Sequence, residues 1–246
     1  MGNRIPLPEE PIADMDAVIQ YDKGARYYIM PEYKYFVRKI LIRGIRSGRV
    51  LDIGTGSGRL AIKLAKVKDC HFDIVALDIS ENMIKKAREN ARRYGVENKI
   101  RFLVSTAAAL PFADNSFDLV ISYASLHHWL KPVNVFDEVA RVTKQTGQAI
   151  IRDNKRVYQN PFWQAMIWFI SRFMNKRHRK NWPKAILASY TIPEVREVLS
   201  RSRLRDYRIS SDFVFIDLCI EAPWSTRKRN SEIRMPISSG HKLKSI

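Results

Sequence analysis

A short apolar segment, Arg49-Val50-Leu51-Asp52-Ile53, runs straight into Gly54-Thr55-Gly56-Ser57-Gly58. An amphipathic pattern (Leu60, Ile62, Leu64, Ala65) begins on the far side. Strand, tight glycine loop and helix in that order open a βαβ unit of the nucleotide-binding kind. Glycine at every second position lets the backbone approach a ligand that a Cβ would push away. The spacing also excludes two readings. The dinucleotide fingerprint G-x-G-x-x-G needs glycine at position 59, where Arg59 stands, and no Gly-Lys-Ser/Thr follows as a phosphate-cradling loop requires.

The same alternation continues along the chain. Helical periodicity covers 17–45 in two pieces, with Pro31 at a helix start. A strand at 49–53 and a helix at 59–67 precede a second strand at 72–77, which ends at Asp78. Ser80 is placed to cap a helix over 81–94, and Gly95 to stop it. Strands follow at 100–104 and 117–123, then a helix at 132–143 and a strand at 148–152. The run Phe117–Tyr123 is continuously apolar apart from Asp118 and Ser122, the pattern of a strand buried on both faces. Strands alternating with helices imply a parallel sheet covered on both sides. Thr191 with Glu194 forms a capping box for a helix over 192–203. Segments 207–210 and 213–220 read as a closing hairpin. Residues 1–15 read as loose, and no internal repeat is present.

The 246 residues carry a formal net charge of +18, which favours an anionic partner such as nucleic acid, anionic lipid or a phosphorylated substrate. Two cysteines, Cys70 and Cys219, have no metal-ligand spacing and fit a reducing cytosol. The first sixteen residues lack the apolar core of a signal peptide. No apolar run reaches the ~18 residues needed to span a bilayer.

Several motifs stand in one order. Val50-Leu51-Asp52-Ile53-Gly54-Thr55-Gly56-Ser57-Gly58 is followed by Ala76-Leu77-Asp78-Ile79-Ser80 with Met83. Then come Ala109-Leu110-Pro111-Phe112, Asn115-Ser116-Phe117-Asp118-Leu119-Val120, Leu126-His127-His128-Trp129 and Glu138-Val139-Ala140-Arg141-Val142. Across residues 45–153 this series resembles the class I S-adenosylmethionine-dependent methyltransferases, and is most similar to the ubiquinone/menaquinone biosynthesis branch. The resemblance implies a Rossmann-like, doubly wound seven-stranded sheet, mostly parallel with an antiparallel last strand, and S-adenosyl-L-methionine as cofactor. It implies an N-terminal helical lid (1–45), a methyltransferase domain (46–222) with a substrate-lid insertion (155–189), and a basic, disordered tail (223–246). Asp52 would hold the cofactor's amino group, and Gly54, Thr55, Gly56 and Gly58 would admit its methionine part. Asp78 would accept from the ribose hydroxyls, while Ile79 and Met83 would sandwich the adenine. The acid that the family places before Leu-Pro-Phe is replaced by Thr106, so the adenine amino contact falls to that hydroxyl or to the backbone of Ala107. The family's Lys-Pro-Gly-Gly turn appears as Lys144-Gln145-Thr146-Gly147.

Methyl transfer from a sulfonium is an in-line displacement. Alignment supplies much of the rate, up to ~7–11 kcal/mol, and a base matters only when the nucleophile carries a proton. The catalytic candidates are His127 and His128, as a base or as a packed structural pair, and Tyr123, which with Ser122 would flank the methyl group. Tyr21, Tyr27 and Tyr28 fall where the lid closes. No metal is implied. Phe162, Trp163, Trp168, Phe169 and Phe173 make an aromatic helix followed by Lys176, Arg177, His178, Arg179 and Lys180. That segment suits a lid over an apolar pocket, an anionic membrane surface, or RNA. Three functions stay open: methylation of a small, lipophilic or anionic molecule, methylation of RNA, and cofactor binding without catalysis.

Overall fold

A computed structural model describes residues 4–7, 11–26, 30–156, 161–173 and 176–221. Tyr27, Tyr28, the 223–246 tail and the side chains of Trp163, Lys176, Arg177 and His178 lie outside the described residues. Two helices, α1 (Met15–Gly24) and α2 (Met30–Leu41), precede β1 (Ser47–Ile53). The doubly wound part follows: α3 (Arg59–Ala65), β2 (His71–Asp78), α4 (Glu81–Arg93), β3 (Ile100–Val104), β4 (Phe117–Tyr123), α5 (Pro132–Val142) and β5 (Thr143–Asn154). The chain closes through α6 (Pro161–Ser171), α7 (Lys176–Ala188), α8 (Ile192–Ser200), β6 (Tyr207–Ser211) and β7 (Phe215–Glu221).

The strands form one sheet in the order β3-β2-β1-β4-β5-β7-β6. Strands β1 to β5 pair in parallel, whereas β7 runs antiparallel to both β5 and β6. The last strand in the chain is therefore the antiparallel one, as the resemblance implied. Strand order reverses between β1 and β4, and ligands of such sheets bind outside the carboxyl ends at this switch point.

Side-chain alternation along the strands builds two cores. Leu119 and Ile121 of β4 join Phe36, Ile40, Leu64 and Ile84 on one face. Val120 joins Leu51, Val75, Phe136 and Leu199 on the other. Each fully buried side chain of this size contributes roughly 1.5–3 kcal/mol relative to its exposed state. Local signals match the helix ends. Ser80 Oγ accepts from Met83 N at 3.3 Å, and the Thr191–Glu194 box forms.

Several elements depart from the sequence reading. Strand β5 starts at Thr143 and carries the expected turn inside it. Phe117 faces Thr143 while Leu119 faces Gln148, so residues 144–147 bulge out. Helix α7 forms despite Pro183 within it, and a 3-10 turn forms at Leu126–His128. The described part of the N-terminal segment is tied down rather than loose. Arg4 donates to Ala188 O at 2.6 Å and to His127 O at 3.0 Å, and its guanidinium lies 4.1 Å above the Tyr190 ring. Farther along, Ser80 Oγ donates to Ile12 O at 2.9 Å and Asn82 Nδ2 to Ala13 O at 2.5 Å.

Candidate functional site

A cavity of about 150 Å3 opens at the carboxyl ends of β1, β2 and β4. Its wall includes Gly54 and Gly56 of the glycine loop, Asp78, Ile79, Ser80 and Met83 after β2, and Ser105 and Ala107 after β3. Ala124, Ser125, His128 and Trp129 close the β4 side, while Pro11, Ile12 and Tyr21 come from the N-terminal segment.

The glycine loop folds as it does because of two close approaches. Gly54, at φ 71°, lies against Ser125, and a Cβ there would overlap the Ser125 hydroxyl. Gly58, at φ 77°, sits so near α4 that a Cβ would stand 2.9 Å from that of Ala87. The loop is then fixed from β2: Asp78 accepts from Gly56 N at 2.8 Å and from Ser80 N at 2.9 Å. One carboxylate thus joins the two loops that flank the cavity.

Two carboxyls stand near this region without a basic partner among the described residues: Asp78, half-buried and on the wall, and Asp52, fully buried at the end of β1 and absent from the wall. Burial, reinforced by the neighbouring Asp78, pushes Asp52 up to about 7, although Thr55 Oγ1 donates to it at 2.7 Å. Burial also raises Asp78 above its usual range, against the opposing donors from Ser80, Gly56 and Ile79. An uncompensated negative site of this kind favours a cationic ligand. The residues therefore fit S-adenosylmethionine, which carries a sulfonium and an ammonium group. Ile79 and Met83 add apolar wall beside Asp78.

A pH dependence follows for the ligand-free protein. A carboxyl whose folded pKa lies above its unfolded value contributes stability below the unfolded value, here 3.8, and loses it as pH rises through about 7. Asp52→Asn is expected to remove that loss and stabilise the ligand-free protein at pH 8 by at most about 4 kcal/mol. Thermal melts at pH 5 and pH 8 check this. A variant that gains nothing between those two conditions overturns it.

The histidine pair divides. His128 lines the cavity, and burial together with His127 lowers it to about 4, so it is neutral at physiological pH. His127 is buried and absent from the wall. Its Nδ1 lies 2.7 Å from Asp153 Oδ1 and its backbone N–H donates to Asp153 Oδ2 at 2.9 Å. A carboxylate only accepts, so Nδ1 carries the proton. The two rings stand 4.2 Å apart, so Asp153 and His127 back the ring that faces the cavity.

Other expected site residues lie off the wall. Tyr123 packs edge-on to Tyr33 at 5.1 Å, and burial holds its phenol well above the usual value. Ser122 donates to Ile53 O at 2.9 Å and ties β4 to β1. Thr106 Oγ1 accepts from Ala108 N at 3.2 Å. Thr55 and Gly58 shape the loop behind the wall. Phe162, Trp168, Phe169 and Phe173 are exposed and absent from the wall, unlike the rings of a pocket roof. Sequence pattern assigns no cofactor or catalytic role to Pro11, Ile12, Ser105, Ala124, Ser125 or Trp129, which the wall includes. Ala124 at φ 53° is the backbone device that turns Ser125 toward Gly54. Among the described residues no cluster of His, Cys, Asp or Glu could hold a metal ion.

Residues 51–151 match a family described as a methyltransferase domain. An uncharacterized methyltransferase of Bacillus subtilis, YcgJ, is 34% identical over 53% of this chain and 49% of its own length. A ubiquinone/menaquinone biosynthesis C-methyltransferase, UbiE, of Erwinia tasmaniensis is 29% identical over 62% of this chain and 64% of its own. The chain thus spans about half to two thirds of the curated relatives it matches. An S-adenosylmethionine-dependent methyltransferase of Aquifex aeolicus shares the fold, with a TM-score of 0.62 at 20% identity over 85% of this chain and 98% of that one. Residues 51–151 thus match a methyltransferase domain, and the sheet order and glycine loop described above belong to that matched stretch and its surroundings. The chain's sequence is similar to the ubiquinone/menaquinone branch.

Proposed function

We propose that the chain transfers a methyl group from S-adenosylmethionine to a small lipophilic acceptor that enters the cavity on the side of His128 and Trp129. The observation that supports this reading is the pairing of two carboxyls that lack a basic partner among the described residues, Asp52 and Asp78, with a wall of Ile12, Ile53, Leu77, Ile79, Met83 and Trp129. Asp52 and Asp78 would hold the cationic donor, and the glycine loop would let its methionine part lie against backbone. His128, neutral and backed by His127 and Asp153, would accept a hydrogen bond or a proton from a protonated nucleophile. The apolar wall would exclude water from the sulfonium, so that the chain's main contribution is alignment.

Isothermal titration with S-adenosylmethionine is the direct test. Saturable binding is expected, and silence at about millimolar ligand overturns the reading. RNA methylation is not favoured, because among the described residues no Lys or Arg lines the wall. Cofactor binding with no methyl transfer to any small acceptor would favour a non-catalytic role.

A further inference from the structure

Helices α6 and α7 present a surface that the cavity does not use. Residues 154–193 contain eight Lys or Arg and no Asp or Glu, and α6 itself holds no charged residue. Phe162 and Phe169 stand seven positions apart on one face of α6, and Phe173 follows two residues past its end. They are 67%, 58% and 71% exposed, and Trp168 beside them is 62% exposed. The rings organise one another at the surface: Phe169 meets Phe173 edge-on at 5.3 Å, and the Arg172 guanidinium lies 5.2 Å from the Trp168 ring. Arg172, Arg179, Lys180 and Lys184 are exposed at the border of these rings and along α7. Helix α7 packs against the 3-10 turn that carries His128, which brings the surface beside the cavity wall.

An exposed aromatic patch is costly in water and calls for a partner. An uncharged ring-bearing helix with cations gathered at one end and on its neighbour matches an anionic bilayer, where rings enter the acyl boundary and cations meet headgroup phosphates. Contact with RNA would instead interleave cations along the whole run of rings, whereas from Phe162 to Phe173 the sequence holds Arg172 as its one cation. We propose that α6 lies in the interface of an anionic lipid membrane, with Phe162, Trp168, Phe169 and Phe173 buried among lipid and Arg172, Arg179, Lys180 and Lys184 at the phosphates. Taken with the proposed methyl transfer, on which this clause rests, the surface would let a lipophilic acceptor reach the cavity from the bilayer.

Sedimentation of the full chain with vesicles tests the surface by itself. The protein is expected to pellet with phosphatidylcholine–phosphatidylglycerol vesicles, much less with phosphatidylcholine alone, and less in high salt. Phe162→Ser with Phe169→Ser should weaken that binding by at least about tenfold, with S-adenosylmethionine affinity and thermal midpoint unchanged. Arg179→Glu with Lys180→Glu gives a second, charge-based arm should the first variant misfold. Equal pelleting on both vesicle types overturns the proposal. So does binding that neither variant weakens, or tRNA that displaces the protein from vesicles. Calorimetry with the cofactor reads the methyl-transfer proposal separately.

Discussion

Replacing Asp78 with alanine is expected to weaken S-adenosylmethionine binding by about a hundredfold or more. A carboxylate that accepts from two ribose hydroxyls makes two charge-assisted hydrogen bonds, each worth roughly 1.5–3 kcal/mol. Its oxygens also fix the loops on either side, through Gly56 N and Ser80 N. Asp78→Asn should be nearly as damaging for a distinct reason. Both oxygens accept a backbone N–H, and an amide can satisfy only one while turning its own donors on the other. Folding should suffer less than binding, because the half-buried carboxylate is already an unfavourable charge in the ligand-free protein. Titration calorimetry beside thermal melts separates the two effects. Wild-type affinity in Asp78→Ala would remove this residue from the cofactor site while leaving the family match intact.

The residues that were legible from sequence are those whose role is local. The Ser80 cap, the Thr191–Glu194 box and the strand periods each depend on neighbours within a few positions, and the structure reproduces them; the glycine spacing after β1 is equally local to read, although Ser125, Ala87 and Asp78 fix the loop from afar. What escaped is long-range. Arg4 meets the carbonyls of Ala188 and His127 across 184 and 123 positions, and no period in the chain announces it. Ser125 enters the wall because Ala124 takes a left-handed conformation, which a residue other than glycine rarely signals. The adjacent histidines could not be told apart, because which ring meets the cavity is decided by Asp153, 26 positions on. On composition alone the rings of α6 suit a pocket lid, a membrane surface or RNA equally, and it takes their exposure and their absence from the cavity wall to weigh these.

Arg59 was first informative as the residue that breaks the dinucleotide pattern, and the structure gives it a task of its own. It is buried, and its Nε and Nη2 grip the Asp22 carboxylate of α1 at 2.7 and 2.6 Å, while Asn90 Nδ2 donates to the same carboxylate at 3.0 Å. The pair clamps α1 to the first turn of α3, holding Tyr21 next to Gly56. Breaking a buried pair from one side leaves an uncompensated charge and costs about 3–5 kcal/mol, a large part of a typical stability of about 5–15 kcal/mol. Arg59→Met is expected to lose that much in urea unfolding and to weaken cofactor binding as Tyr21 loses its seat. Asp22→Asn added to Arg59→Met should recover part of the loss, since the amide removes the stranded charge and still accepts from Asn90. The pH dependence has a definite sign. Burial alone would raise Asp22, but the Arg59 hydrogen bonds outweigh it and hold the carboxyl below 3.8. Its contribution is therefore full above that value and fades as pH falls through the lowered one. The gap between wild type and Arg59→Met should accordingly narrow in acid. A gap that stays constant down to pH 3, or a double variant no more stable than the single, would mean that α1 is held by packing of Ala17, Val18 and Ala25 and not by the ion pair.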